Sequence, residues 1–242
     1  MYNTLKLEAV KTKRTSVSKL WIAIVLFAVI VSAVLAPGFL VQNSLNWWYT
    51  LLYPLVTALI CSTIFGKLDK DQNFQTLFLS RTYVGKFFTA KCMITAGYLL
   101  LASVFYCLLL LVLTWFFPSE FDWLSIISAV FVTWLGYLFL IPLCGMLMLY
   151  FPSLLVTVCI VVATEAMQIF YDQFTLWQIN PFITPAMLMT TIINTLPNGL
   201  LNNGVLIPIP IQPMVVSLVI SIVYLFVMIG MGRSLLQRKA ER

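Results

Sequence analysis

Along this chain, long apolar runs alternate with short polar stretches. A helix rises about 1.5 Å per residue, so crossing a hydrocarbon core of about 30 Å takes about 20 apolar residues. That rule predicts spans at residues 20–39, 47–66, 92–117, 124–150, 154–171 and 214–232. The first apolar run is long enough to cross and is followed by five more, so it reads as an anchor rather than a cleavable leader. The expected fold class is an all-α membrane protein with six transmembrane helices. It forms a single transmembrane domain over residues 1–242, without a soluble domain or an internal repeat.

Composition agrees with lipid as the main solvent. Hydrophobic residues make up 62% of the chain, charged residues 9%, and the mean hydropathy is +1.01. A soluble domain carries about 25% charged residues, so this chain has too few to cover a surface facing water. The formal charge is +6, and the 14 basic residues fall in three groups, Lys6 to Lys19, Lys67 to Lys91 and Arg233 to Arg242. Basic residues collect on the cytoplasmic side of a membrane, so this grouping predicts topology and not nucleic-acid binding. With six crossings both termini lie inside, together with 67–91 and the turn Phe151–Pro152–Ser153. The segments 40–46, 118–123 and 172–213 lie outside and hold Glu120, Asp122 and Asp172 but no Lys or Arg. Trp47, Trp48, Trp115 and Trp123 fall near the expected membrane boundaries, as interfacial tryptophans do.

Three stretches are more than turns. Residues 1–19 read as an interfacial helix, with Tyr2, Leu5 and Ala9 on one face and Lys6, Lys13 and Arg14 able to meet lipid headgroups. In the cytoplasmic segment 67–91, Phe74, Leu77 and Phe78 follow helical spacing, and Asp69 and Asp71 precede them at the positive end of such a helix. An apolar face outside the membrane calls for a partner, and a cytosolic protein is the expected one. The external segment 172–213 holds Pro181, Pro185, Pro197, Pro208, Pro210 and Pro213. It is too broken for a seventh span, so a re-entrant or surface-lying hairpin is expected, with a short proline-opened helix from Pro185 to Leu196.

The chemistry the chain lacks narrows its function. There is no histidine, which excludes a serine–histidine protease and a His-Glu-x-x-His metal site. No phosphate-binding Gly-x-x-x-x-Gly-Lys loop occurs, and the carboxylates are too scattered for a two-metal site. Cys61, Cys92, Cys107, Cys144 and Cys159 form no close pair and read as small packing residues. The chain is therefore not expected to be an enzyme or to hold a metal or cofactor. Glu165 is the one acidic residue inside an expected span. Thr157, Thr164, Gln168 and Asp172 share its neighbourhood at helical spacing, which predicts a polar strip along one face of the fifth span. Such a strip either lines a transport path or subunit interface, or makes a hydrogen bond between helices. Gly230, Gly232 and Pro142 are positions for close packing or a kink.

The order of these features resembles that of type-2 ABC exporter permeases, the membrane half of an ATP-driven transporter. Ahead of the first span, Glu8, Lys11, Lys13 and Arg14 match that family's E-x-x-K-x-K-R start. Between spans two and three, Leu77, Ser80, Arg81, Lys86 and Lys91 hold the places of its L-x-x-S/P-x-x-R…K segment. Asp69 and Asp71 stand where the family often has a Glu-rich turn. Length and the lack of any extra domain are most similar to the lantibiotic-immunity permeases. The resemblance implies a multi-pass protein of a bacterial cell membrane that expels a peptide antibiotic to give self-immunity (bacteriocin resistance). It implies as partners a cytosolic ABC ATPase dimer, carrying the ATP and Mg, and a second permease subunit, identical or different. ATPase coupling would fall on Leu68, Asp69, Asp71, Phe74, Leu77, Phe78, Ser80 and Arg81. The interfacial helix would use Leu5, Lys6, Glu8, Lys11, Lys13 and Arg14.

Other expectations remain: a permease for another antibiotic or a lipid-like substrate, a substrate-binding membrane subunit of a small-molecule importer, or an assembly factor. Topology is the first point to test. A cysteine placed at Lys70 or Lys86 is expected to resist an impermeant thiol reagent added outside intact cells and to react after lysis, read by gel shift.

Overall fold

The computed structural model describes residues 2–13, 15–66, 81–117, 121–170, 176–200, 202 and 209–240. Within them the protein is all-helical, with no strand. α1 is Tyr2–Lys13 and α2 is Val17–Leu35. α3, Leu40–Trp47, runs through a wide π turn at Trp48–Leu52 into α4, Tyr53–Phe65. α5 is Arg81–Leu113, α6 is Trp123–Tyr137 and α7 is Leu140–Leu147. α8 is Ser153–Ile169, α9 is Thr184–Ile193 and α10 is Ile211–Ala240. Four helical segments are long and apolar enough to cross a bilayer: Pro37–Phe65, Gly85–Leu113, Trp123–Leu147 and Ile211–Lys239. The apolar stretches Lys19–Leu35 and Ser153–Ile169 are shorter.

Several boundaries differ from the hydropathy reading. Residues 40–46, expected as an external loop, form α3 and bury Leu40, Val41, Ser44 and Leu45. Gln42, Asn43 and Asn46 lower the local hydropathy and hide that one-sided apolar face. Residues 81–91, expected in a cytoplasmic connection, are the first three turns of α5. α10 likewise runs past its expected ends. In each case the helix outlasts its apolar stretch, because a charged rim ends hydropathy without ending backbone hydrogen bonding. Trp48, expected at the membrane boundary, is fully buried, whereas Trp115 and Trp123 are exposed.

At the end of the molecule that carries the lysines and arginines, two rings and two glycines lock four helices together. Phe65 of α4 and Phe88 of α5 stand 5.5 Å apart with their planes tilted by 56°. A Cβ on Gly145 of α7 would come within 2.8 Å of the Phe65 ring, and one on Gly232 of α10 within 2.3 Å of the Phe88 ring. These helices approach so closely because the glycines leave room for the rings. On the far side of α10, Val215, Val219, Val223, Phe226 and Val227 form an exposed apolar stripe.

The opposite half contains breaks. Pro142 has no N–H for the carbonyl of Leu138, and the helix interrupts at Leu138–Phe139, between α6 and α7. α9 opens on Pro185, as the proline-opened helix was expected to, and ends at Asn194, whose φ of 48° is left-handed. Eight of its ten residues are buried. Its Pro185 ring packs against Gly136 of α6, where an added Cβ would sit 3.1 Å away. Phe182, just ahead of α9, meets Phe139 edge-on at 5.0 Å.

Gly232 and Gly230 are two residues apart yet face different surroundings, since a Cβ at Gly230 meets nothing within 4 Å. Gly232→Ala is expected to destabilise the fold by about 1–3 kcal/mol through overpacking. Gly230→Ala should be neutral or stabilising by up to about 1 kcal/mol. Thermal melts of the purified variants in lipid nanodiscs would show the contrast.

Candidate functional site

The site begins with a buried lysine. Lys91 lies at the end of the third turn of α5, beside Phe87 and Phe88, and only 5% of it is exposed. Its Nζ donates to the backbone carbonyl of Ile64 at the end of α4. It stands 3.6 Å from Oε2 of Glu8 on α1, 4.8 Å from the centre of the Phe87 ring and 5.8 Å from that of Phe65. Glu8 is itself 6% exposed, and its Oε1 lies 3.3 Å from Nζ of Lys11. The arrangement satisfies each group. The last carbonyls of a helix lack intrahelical donors and carry partial negative charge, which an ammonium group offsets. The carboxylate balances the remaining charge, and the ring faces attract it further.

This clamp changes the reading of α1. An apolar face of Tyr2, Leu5 and Ala9 was expected to hold the helix to the membrane surface. The buried stripe is instead Thr4, Glu8 and Thr12, at spacings of four, and α1 packs mainly on α5. Thr12 bonds the Glu8 carbonyl, so this polar face satisfies itself before it docks. Leu5 is half-buried, and Lys6 and Lys11 are exposed. The Lys13 side chain and Arg14 lie outside what the structure describes. A second lysine repeats the capping at the same end: Lys239 of α10 donates to the carbonyl of Leu149, where α7 gives way to the turn before α8. Its Nζ lies 5.9 Å from the centre of the Tyr150 ring.

The polar strip expected on the fifth span divides in two. Thr157, Thr164 and Gln168 share the buried face of α8 against α4 and the π turn. Both threonines bond their own helix, to the carbonyls of Ser153 at 2.9 Å and Ile160 at 2.8 Å. Gln168 reaches across instead. Its Nε2 donates to the Tyr137 hydroxyl at 2.9 Å and to the Thr50 carbonyl at 3.3 Å. Glu165 does not belong to this strip. It falls at spacings of three and four among Leu154, Val158, Val162 and Ile169, which form the exposed face of α8. The spacing of three leaves Glu165 and Gln168 about 60° apart around the helix, so Gln168 is buried while Glu165, at the edge of that face, is only half-buried. Glu165 makes no ion pair or hydrogen bond with a described residue. Asp172 lies outside the described residues.

Around Gln168 the interior is polar and aromatic. The Tyr137 hydroxyl donates to the Tyr49 carbonyl at 3.0 Å. Trp48 stacks on Tyr106 at 4.2 Å and meets Tyr53 edge-on at 5.5 Å. The Tyr106 hydroxyl pairs with Ser44 at 2.8 Å. Sequence reasoning missed this node because its members come from five helices and the π turn. The available signals were Pro54 inside an expected span and the run Trp47, Trp48, Tyr49, which is too aromatic for a boundary alone.

Of the residues assigned to ATPase coupling, Leu68, Asp69, Asp71, Phe74, Leu77, Phe78 and Ser80 lie outside the described residues, and Arg81 is the first residue of α5. Among the described residues no group of His, Cys, Asp or Glu has the makings of a metal site. Lys91→Met would leave the buried Glu8 without its buried partner, keeping only the exposed Lys11, and Ile64 uncapped. Removing one partner of a buried pair costs about 3–5 kcal/mol, so this variant is expected to melt far below the wild type. The exposed-lysine control Lys86→Met should change stability by less than about 0.5 kcal/mol. Comparison with known family models, curated proteins and solved structures finds no match to this chain.

Proposed function

We propose that this chain is the membrane-spanning permease subunit of an ATP-driven exporter. In this reading the chain crosses the membrane six times, α2 and α8 completing the set. Both termini and the 67–80 segment are cytoplasmic, and α9 forms part of an external re-entrant hairpin. The observation that carries the reading is the clamp at Lys91. The 67–80 segment leaves the end of α4 next to the carbonyl that Lys91 caps, and it returns as α5, which carries Lys91. A push on that segment from below therefore reaches α4, α5 and the docked α1 as one body.

The partner is a cytosolic ABC ATPase dimer, which carries the nucleotide and Mg chemistry. Its closure on ATP shifts the permease between two states, and the chain itself does no bond chemistry. A second permease subunit, homologous or identical, completes the path. Glu165 supports this pairing. A carboxylate at the bilayer centre costs about 2.5–3.5 kcal/mol on insertion scales, so the apolar face around it is best covered by protein or by the transport path. The choice of cargo, a lantibiotic or similar cationic antimicrobial peptide expelled to protect the cell, rests on the resemblance of the opening and 67–91 segments.

Two experiments bear on this reading. Phe74→Asp or Leu77→Asp is expected to abolish ATP-dependent protection of cells against the peptide while the chain still inserts; retained co-purification with the ATPase would count against the coupling role. For Glu165, the Gln variant should keep most transport and the Ala variant should lose it, if hydrogen bonding at the seam is what matters. Equal loss in both would mark a required carboxylate.

A further inference from the structure

The wide turn at Trp48–Leu52 has a chemical cause in Pro54. A proline carries no N–H, so the register of the helix around it decides which carbonyl loses its donor. In an α register the Tyr53 N–H would serve Tyr49, and the carbonyl left without a donor would be that of Thr50, four residues before Pro54. In the register observed, the Tyr53 N–H donates to the Trp48 carbonyl, five residues back. The carbonyl that then loses its helical donor is Tyr49, five residues before Pro54. Each of the two carbonyls has its own side-chain donor from another helix. The Tyr137 hydroxyl takes Tyr49 at 3.0 Å, and Gln168 Nε2 takes Thr50 at 3.3 Å. Gln168 also donates to the Tyr137 oxygen at 2.9 Å, which turns the tyrosine proton toward Tyr49. A helix fixed in one register would need one such donor.

We propose that this turn is a two-register hinge, with Tyr137 as the latch that holds it wide and Gln168 as the donor that serves the α register. When the turn tightens, Tyr53 N–H returns to Tyr49, the Tyr137 hydroxyl is released, and Gln168 keeps the Thr50 carbonyl satisfied. No backbone group is left unpaired in either state, which is the condition for switching inside a membrane. Tightening also turns α3 about its axis relative to α4. That motion withdraws Ser44 and Trp48 from Tyr106, which they now hold at 2.8 Å and by a 4.2 Å stack. It also draws on the loop after α9, because Asn46 Nδ2 donates to the Pro197 carbonyl at 3.4 Å. The hinge thus connects α8 to that loop through two discrete arrangements of a packed interior.

The test uses the full chain in lipid nanodiscs and does not depend on transport. Ser44→Cys is treated with N-ethylmaleimide, and labelling at each cysteine is read by mass spectrometry; native Cys61 and Cys144, both buried, serve as controls. Tyr137→Phe removes the latch and with it one of the two acceptors of Gln168 Nε2, which keeps the Thr50 carbonyl. Pro54→Ala removes the ring that crowds the Thr50 carbonyl in the α register, so both variants shift the hinge to that register. Each is expected to raise the labelling rate at position 44 by about tenfold, as loss or gain of one buried hydrogen bond allows, with Cys61 and Cys144 unchanged. The proposal is overturned if either variant leaves position 44 as slow as before, or if labelling rises equally at Cys61 and Cys144, which would mean general loosening.

Discussion

The ammonium group of Lys91 ties three helices together at one point. It caps α4, carries α5 and pairs with the carboxylate of α1. Burying a charge is unfavourable unless its partners replace water, and here a carbonyl, a carboxylate and two ring faces do so. The same rule explains why α1 buries polar residues. Thr4, Glu8 and Thr12 face inward because Lys91 waits for a counter-charge, whereas a purely apolar face would leave the lysine unpaired. Just inward from this clamp, Phe65 and Phe88 fill the space left by Gly145 and Gly232, so charge and packing fix the same layer.

The other half of the molecule is built on interruptions. Pro54 widens one helix, Pro142 breaks a second, and the short α9 inserts beside both with Pro185 against Gly136. A broken backbone away from water must find other donors, and Tyr137 and Gln168 supply them. A rigid charged layer at one end and a hydrogen-bonded, register-dependent layer at the other form a sensible division. In the proposed transporter, the first would receive a push as a unit and the second would respond in discrete steps.

The long apolar runs made the helical class and the approximate positions of the main helices legible in the sequence, because bilayer thickness imposes a length that hydropathy reads directly. Pro142 announced its break, and Pro185 announced α9. α3 was not legible, since its asparagines masked a one-sided apolar face, and neither was the true start of α5, because charge at a rim looks like a loop. For the candidate site the outcome is mixed. Glu8 and Lys91 were both noted, yet nothing along the chain says that residues so far apart meet. Gln168 was placed in a polar strip, but its partners Tyr137 and Thr50 lie on other helices. Glu165 was grouped with that strip because i, i+3 spacing brings two residues close without fixing which side of the contact each faces.

The claim on which the rest depends is that Lys91 fastens α1 to the ends of α4 and α5. Hydrogen exchange of the full chain in nanodiscs, comparing the wild type with Lys91→Met, measures it most directly. The account predicts faster exchange across α1 and at the end of α4 around Ile64, with the amides of α8 and α9 unaffected. Exchange in α1 that stays as slow as in the wild type would contradict it.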